Sequence, residues 1–535
     1  MINHAEIAFC LDKRYIILKR IDENHIDEIV ERAGKHFMYL TAYKKWKQEE
    51  KALETMSNFI ATIQHMKKTI LFFALLISIN FSFAQLRLPS VIGDNMVLQQ
   101  RTSAALWGWS NPSQKIMITT SWNNKTDSVT ATRDAKWKMT VQTPIAGGPY
   151  TINIKAGDDA VTLNNVFIGE VWVCSGQSNM EYNSYNIGST DIQPELKKPS
   201  NNNIHLFLEP KATAIYPQDD CKAKWTIADS NTLKSFSQVA YFFAQRIHHD
   251  MNVPIGLIEA SWGGTPAETW TPANVVNTDE ALTEASRKQN PSEWWPYSPG
   301  YAYNAMIAPL TNYNIAGALW YQGESNTAAP YTYAKLLTSM IKSWRNAWNK
   351  DFPFYLVQIA PFTYGSKYTC SVVQEQQAKV LALENTGMVV TTDLVPDTTD
   401  IHPPMKKAVG DRLAALALAK TYHKTGIIYA NPMYKNMSVE GNKATITFDN
   451  ANEGLMMKGL QITQLYVAGN DKLFYPAEAK ISGNKITVSS EKVKQPVAVR
   501  FGFSNAAVGN LFSKSGLPAA PFRTDDWDLG INSVK

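Results

Sequence analysis

Val171-Trp172-Val173-Cys174-Ser175-Gly176-Gln177-Ser178-Asn179-Met180 is an apolar run that stops at a glycine, with a serine two residues beyond it. The run reads as a buried strand. Gly176 can take backbone conformations closed to other residues, so the chain can turn sharply there. Ser178 then sits at the mouth of a sheet, where a nucleophile is useful. A strand-ending turn with an ordinary serine is the plain alternative, because isolated G-x-S patterns are common. The surrounding chain has to separate the two.

Working outward, residues 166–424 alternate between strand-like and helix-like segments. The strand candidates are Val166–Cys174, Ile255–Ala260, Ile315–Tyr321, Phe354–Ile359 and Met388–Thr392. Phe236, Val239, Ala240, Phe243 and Ile247 share one face at helical spacing, as do Leu337, Met340, Ile341, Trp344 and Trp348. Such alternation predicts an α/β fold, a parallel sheet covered by helices. Residues 86–165 and 425–527 instead carry short alternating runs split by Asn-Pro, Asn-Asn, Gly-Gly and Gly-Asn breaks. These predict an N-terminal sandwich-like β domain and a C-terminal β domain.

A chain of 535 residues is too long for one core, in keeping with several domains. Its net charge of +5 is small for that size, and no basic run interleaves with aromatics, so nucleic acid is not an expected partner. The 15 Trp and 23 Tyr mostly read as core, but flat rings in an open cleft would also suit sugars. Met66-Lys67-Lys68, the apolar Ile70–Ile77 and the small-residue ending Ser82-Phe83-Ala84 have the form of a secretory signal peptide over residues 66–84. It is short for a membrane span. Residues 1–65 then read as a spurious extension ahead of the true start at Met66. The rival reading is a membrane anchor with a cytoplasmic tail. The expected location is periplasmic or extracellular, with no stable membrane insertion after cleavage. Cys174, Cys221 and Cys370 form no CxxC motif; Cys174 reads as a buried hydrophobe, and pairing of the other two is left open.

Ligands of open α/β sheets bind beyond the carboxyl ends of the strands. Four polar clusters fall there: Gly176–Glu181, Ser261–Thr265, Gln322–Asn326 and Asp400–Pro404. Acyl transfer needs a nucleophile, a base, an orienter and oxyanion donors. Ser178 can be the nucleophile and His402 the base. Backbone N–H groups at Ser178 and at Gly263 or Gly264 can meet one oxygen, with the Gln322 amide as a further donor. Glu324 reads as a tie between loops, with acid or metal roles as alternatives. Taken singly, His402 is a common surface or cap residue and Gly263-Gly264 a common turn; their joint placement at strand ends favours function. No His and carboxylate set has ligand spacing, so neither metal nor cofactor is expected.

The chain resembles the sialate O-acetylesterase family of the SGNH hydrolases. The resemblance rests on six ordered segments: Gly169 through Met180, Ser261 through Pro266, Tyr303 through Leu310, Trp320 through Ser325, Asp400 through Pro403, and Gly516 through Asp525. They span most of residues 86–527. The resemblance implies a flavodoxin-like hydrolase core flanked by β domains, ester hydrolysis at acetylated sugars, Ser178 as nucleophile and His402 as base. One departure stands out. SGNH hydrolases often carry Asp three residues before the His, and here that position is Thr399. Asp400 is the favoured orienter, with Asp397 and Asp393 upstream and a Ser–His dyad steadied by a backbone carbonyl as alternatives. The expected substrate is an O-acetylated carbohydrate, sialate foremost; an acetylated xylan or other plant glycan, or a non-catalytic glycan-binding role, are the rivals. Oligomeric state is not legible.

Overall fold

The computed structural model describes residues 45–57, 59, 61–63, 66 and 85–531. All but Met66 of the expected signal peptide lies outside the described residues, as does most of the expected extension. The chain divides into two units, Met1–Phe83 and Ala84–Lys535. In the first, residues 45–57 are helical. No helix among the described residues is long and apolar enough to cross a membrane.

The second unit is built on one long strand, Asp159–Gly176. Its first half pairs antiparallel with Gly147–Ala156. Its second half is the centre of a parallel sheet, flanked by Ile255–Ser261 on one side and Gly317–Tyr321 on the other. The sheet continues through Phe354–Val357 to Thr386–Val389 at one edge, and through Asn201–Leu208 to the antiparallel Trp225–Ala228 at the other. Side chains on a strand alternate between faces. Val171 and Val173 therefore join the core made with helices Tyr333–Trp348 and Thr369–Lys379. Trp172 and Cys174 join the opposite core, with helices Gln238–Met251 and Lys406–Lys420. Burial on both faces is why this strand reads as a continuous apolar run.

The mixed α/β architecture matches the SGNH-like expectation. The Asp159–Gly176 strand runs through residues 165 and 166 without interruption. Ahead of it, Ser103–Trp109 pairs with Lys136–Gln142, and Lys115–Thr120 lies between Lys125–Thr130 and Gly147–Ala156. After the last helix, antiparallel strands from Met433 to Arg523 enclose their own core, with Ile446, Phe448, Val467, Val488 and Phe501 buried. Asn505 fastens this region to the α/β layer by accepting the Cys370 N–H, and Arg523 reaches Glu375 at 3.2 Å. Cys174, Cys221 and Cys370 are all free thiols, so the pairing left open for Cys221 and Cys370 is not made.

Candidate active site

The topology locates the crevice. From its central strand the chain first builds one side of the sheet and later the other, so the switch point lies between Gly176 and Tyr321. Gly176 has φ 140°, and a Cβ there would come 2.2 Å from the Tyr321 carbonyl oxygen. Only glycine fits this turn. It releases the chain into the short helix Ser178–Glu181. Gln177 Oε1 accepts N–H groups from Gly323 and Ser325, which ties the first polar cluster to the third.

Ser178 Oγ and His402 Nε2 lie 2.9 Å apart, although 224 residues separate them in sequence. Asn179 holds this pair in register. Its Nδ2 donates to Ile401 O at 3.0 Å and to Glu324 Oε1 at 2.6 Å, and its Oδ1 accepts from Lys406 Nζ. Lys406, four residues beyond His402 and first in the helix Lys406–Lys420, is fully buried, with its ammonium over the Tyr182 and Tyr321 rings. Burial drives its pKa down to about 7 despite the pull of Glu324. Burial also lowers the pKa of His402, and the Lys406 charge lowers it further, against an upward pull from Asp400. The imidazole is thus held in its neutral, proton-accepting form. Burial raises the pKa of Glu324, opposed by Asn179 and Lys406.

The expected orienter makes a different contact. Asp400 Oδ1 accepts the backbone N–H of His402 at 2.8 Å, and no described residue hydrogen-bonds the ring Nδ1. The reason is the two-residue spacing, which suits a carboxylate to cap the amide of its own loop. The upstream acids are engaged elsewhere: Asp397 holds Thr399, and Asp393 forms a forked pair with Arg412.

The glycine pair divides. An added Cβ on Gly263 would meet Ser178 Cβ at 3.4 Å, whereas one on Gly264 would run into the Trp295 ring. Gly263 is therefore the glycine beside Ser178, and Gly264, at φ 80°, shapes the turn. Gly263 N–H donates to Glu181 Oε2. The Gln322 amide is not free for substrate: it is buried, donates to Thr265 O and Asn326 Oδ1, and accepts from Tyr333. Glu324 is also buried, bracing Asn179. Hence Ser178, His402 and Gly263 come together at the surface of the crevice, while Gln322 and Glu324 form its floor. Asn179, Glu181, Lys211 and Lys406 were missed in the sequence. Asn179 and Glu181 lay within or next to the opening decapeptide, and Lys406 lay four residues past His402; Lys211 carried no signal. Among the described residues, no group of three or more His, Cys, Asp or Glu is arranged to hold a metal.

A family model described as carbohydrate esterase, sialic acid-specific acetylesterase, matches residues 168–419. The chain is 26% identical over 398 residues to sialate O-acetylesterase of Homo sapiens, covering 67% of this chain and 76% of that protein. The Rattus norvegicus sialate O-acetylesterase is likewise 26% identical, over 417 residues, covering 66% and 77%. Among solved structures, a carbohydrate acetylesterase from Xanthomonas citri is 32% identical, with a TM-score of 0.75 over 83% of this chain and 100% of that one.

Proposed function

The chain belongs to the carbohydrate esterase family described as sialic acid-specific acetylesterases and is a carboxylic ester hydrolase; from that premise we propose that it is an exported serine enzyme removing O-acetyl groups from sialate. The observation that carries the serine assignment is the 2.9 Å approach of Ser178 Oγ to His402 Nε2 at the sheet's switch point. Ser178 Oγ attacks the acetyl carbonyl while His402 Nε2 takes its proton. The amide of Ser178, first in its helix and so without an intrahelical acceptor, and that of Gly263 face the developing oxyanion. The tetrahedral intermediate collapses as His402 protonates the departing sugar oxygen. Water, deprotonated by the same imidazole, attacks the acetyl-serine; collapse returns Ser178 and releases acetate. Asp400 acts on His402 through its loop and its charge. Trp294, 80% exposed, and Trp262 offer flat faces for a sugar at the rim.

The test is acetate release by Ser178→Ala and His402→Ala. Each should lose about four orders of magnitude or more in turnover, and the double variant little beyond that, because the pair acts as a unit. Near-normal turnover by Ser178→Ala would sink the serine assignment. Substrate is tested separately, with O-acetylated sialate against acetylated xylan. Sialate carries a carboxylate that xylan lacks, so the two substrates differ in charge as well as in sugar. Faster release from xylan would replace the sialate assignment and leave the serine chemistry in place.

A further inference from the structure

The glycine amide that faces the acyl oxygen already has an occupant. Glu181 Oε2 accepts the Gly263 N–H at 2.6 Å, and Glu181 Oε1 lies 2.6 Å from Lys211 Nζ. The carboxylate is local to the chemistry: a Cβ placed on Gly263 would be 3.2 Å from Glu181 Oε2 and 3.4 Å from Ser178 Cβ. An oxyanion is stabilised by donors about 2.7–3.1 Å away. A carboxylate on the same amide takes that donor and repels the charge that must form there. One N–H cannot serve both anions at full strength.

The two charged side chains also lie in partly exposed positions. Those of Glu181 and Lys211 are 28% and 44% exposed, unlike the buried Gln322 and Glu324 beneath them. Glu181 is the last residue of the four-residue helix that begins with Ser178. The Lys211 ammonium lies 5.9 Å from the centre of the Trp262 ring.

We propose that Glu181 is a carboxylate gate on the oxyanion site, closed in the resting enzyme and displaced when the acetyl carbonyl takes the Gly263 N–H. This rests on the reading of Ser178 as nucleophile and Gly263 as donor. On opening, the Glu181 carboxylate turns away from Gly263 and stays paired with Lys211, so no charge is stranded. Glu181 acts through the Gly263 amide and is a positioning residue. A protein whose competent state is only partly populated reacts more slowly by that fraction. Removing the gate therefore speeds acylation, the opposite of what removing a structural brace would do.

The experiment measures the second-order rate of Ser178 phosphonylation by a small organophosphonate, a readout of acylation alone, with the thermal midpoint of each variant. Glu181→Ala should react about three- to tenfold faster than the parent, and Glu181→Gln, which keeps the shape and loses the charge, should also exceed the parent. Equal or slower reaction by the Gln variant overturns the gate. So does an order in which the parent leads, Gln follows and Ala trails, which is the signature of a brace. Should Glu181→Ala fold poorly, the isosteric Gln variant decides alone. The Ser178→Ala control should take up no label; labelling that persists there overturns the nucleophile assignment, and the gate with it.

Discussion

Lys406 and Asp400 act on one imidazole with opposite sign. In the proposed mechanism His402 must be neutral to accept the Ser178 proton, so kcat/KM should rise with pH through the imidazole pKa. That pKa lies below its ordinary 6.5, because burial and the Lys406 ammonium outweigh Asp400. Lys406→Met removes a positive neighbour and keeps an unbranched side chain. The acid limb of the profile should then move to higher pH. Asn179 also loses a hydrogen-bond donor, so the plateau should drop by about tenfold or less, the scale of one lost hydrogen bond. Asp400→Asn removes a negative neighbour, so the limb should move to lower pH. Turnover should fall by about ten- to a hundredfold, less than the roughly 10⁴ of a triad Asp, because Asp400 bonds the His402 amide and not its ring. Displacement of both limbs in one direction would contradict this account. The sequence displayed Ser178 and His402 because each follows a strand or opens a helix. It hid Lys406, since a lysine at that spacing usually reads as solvated surface and only the fold buries it.

At the scale of elements, legibility followed apolar periodicity. The helices Gln238–Met251 and Tyr333–Trp348 were expected because their buried residues recur at helical spacing. Thr369–Lys379 was invisible because five of its eight buried residues are polar, so no apolar period marks it. Gln374 and Gln377 exchange hydrogen bonds with the backbone of Ile359, and Gln377 also donates to Gln322 O and Val357 O. Such residues satisfy strand ends that would otherwise be orphaned. Asn201–Leu208 was missed because three asparagines open it. The Asp159–Gly176 strand is half exposed up to Asn165 and wholly buried from Val166 on, so only its second part reads as an apolar run. Its end sets a sharp requirement. Gly176→Ala would force Cβ against the Tyr321 carbonyl at a φ of 140°. Relief would need the seam with Gly317–Tyr321 to open, and that seam carries Ser178. A loss of more than about 4 kcal/mol, the range of severe single substitutions, is expected as a collapsed thermal midpoint or failure to fold. A soluble Gly176→Ala variant with parental midpoint and turnover would contradict this reading of the turn.

For the whole molecule, the question is where the working protein begins. The compact unit that holds the crevice starts at Ala84, where the signal-peptide pattern places its cleavage. Leu86 is buried and its amide donates to Asp159 at the start of the central strand. Arg87 and Trp109 exchange backbone hydrogen bonds, and the Arg87 guanidinium lies 4.0 Å from the centre of the Trp109 ring. Cleavage after Ala84 would leave these contacts within the unit intact. Residues 85–535 expressed alone should show the thermal midpoint and kcat/KM of the full chain, within about 0.5 kcal/mol, the spread of changes that touch no packed feature. In the native host, N-terminal sequencing of the active protein should begin near Gln85. A shortened chain that loses stability would assign residues before Gln85 a structural role. Active protein in the membrane fraction that retains residues 1–84 would replace export by anchoring, while leaving Ser178 and His402 where they are.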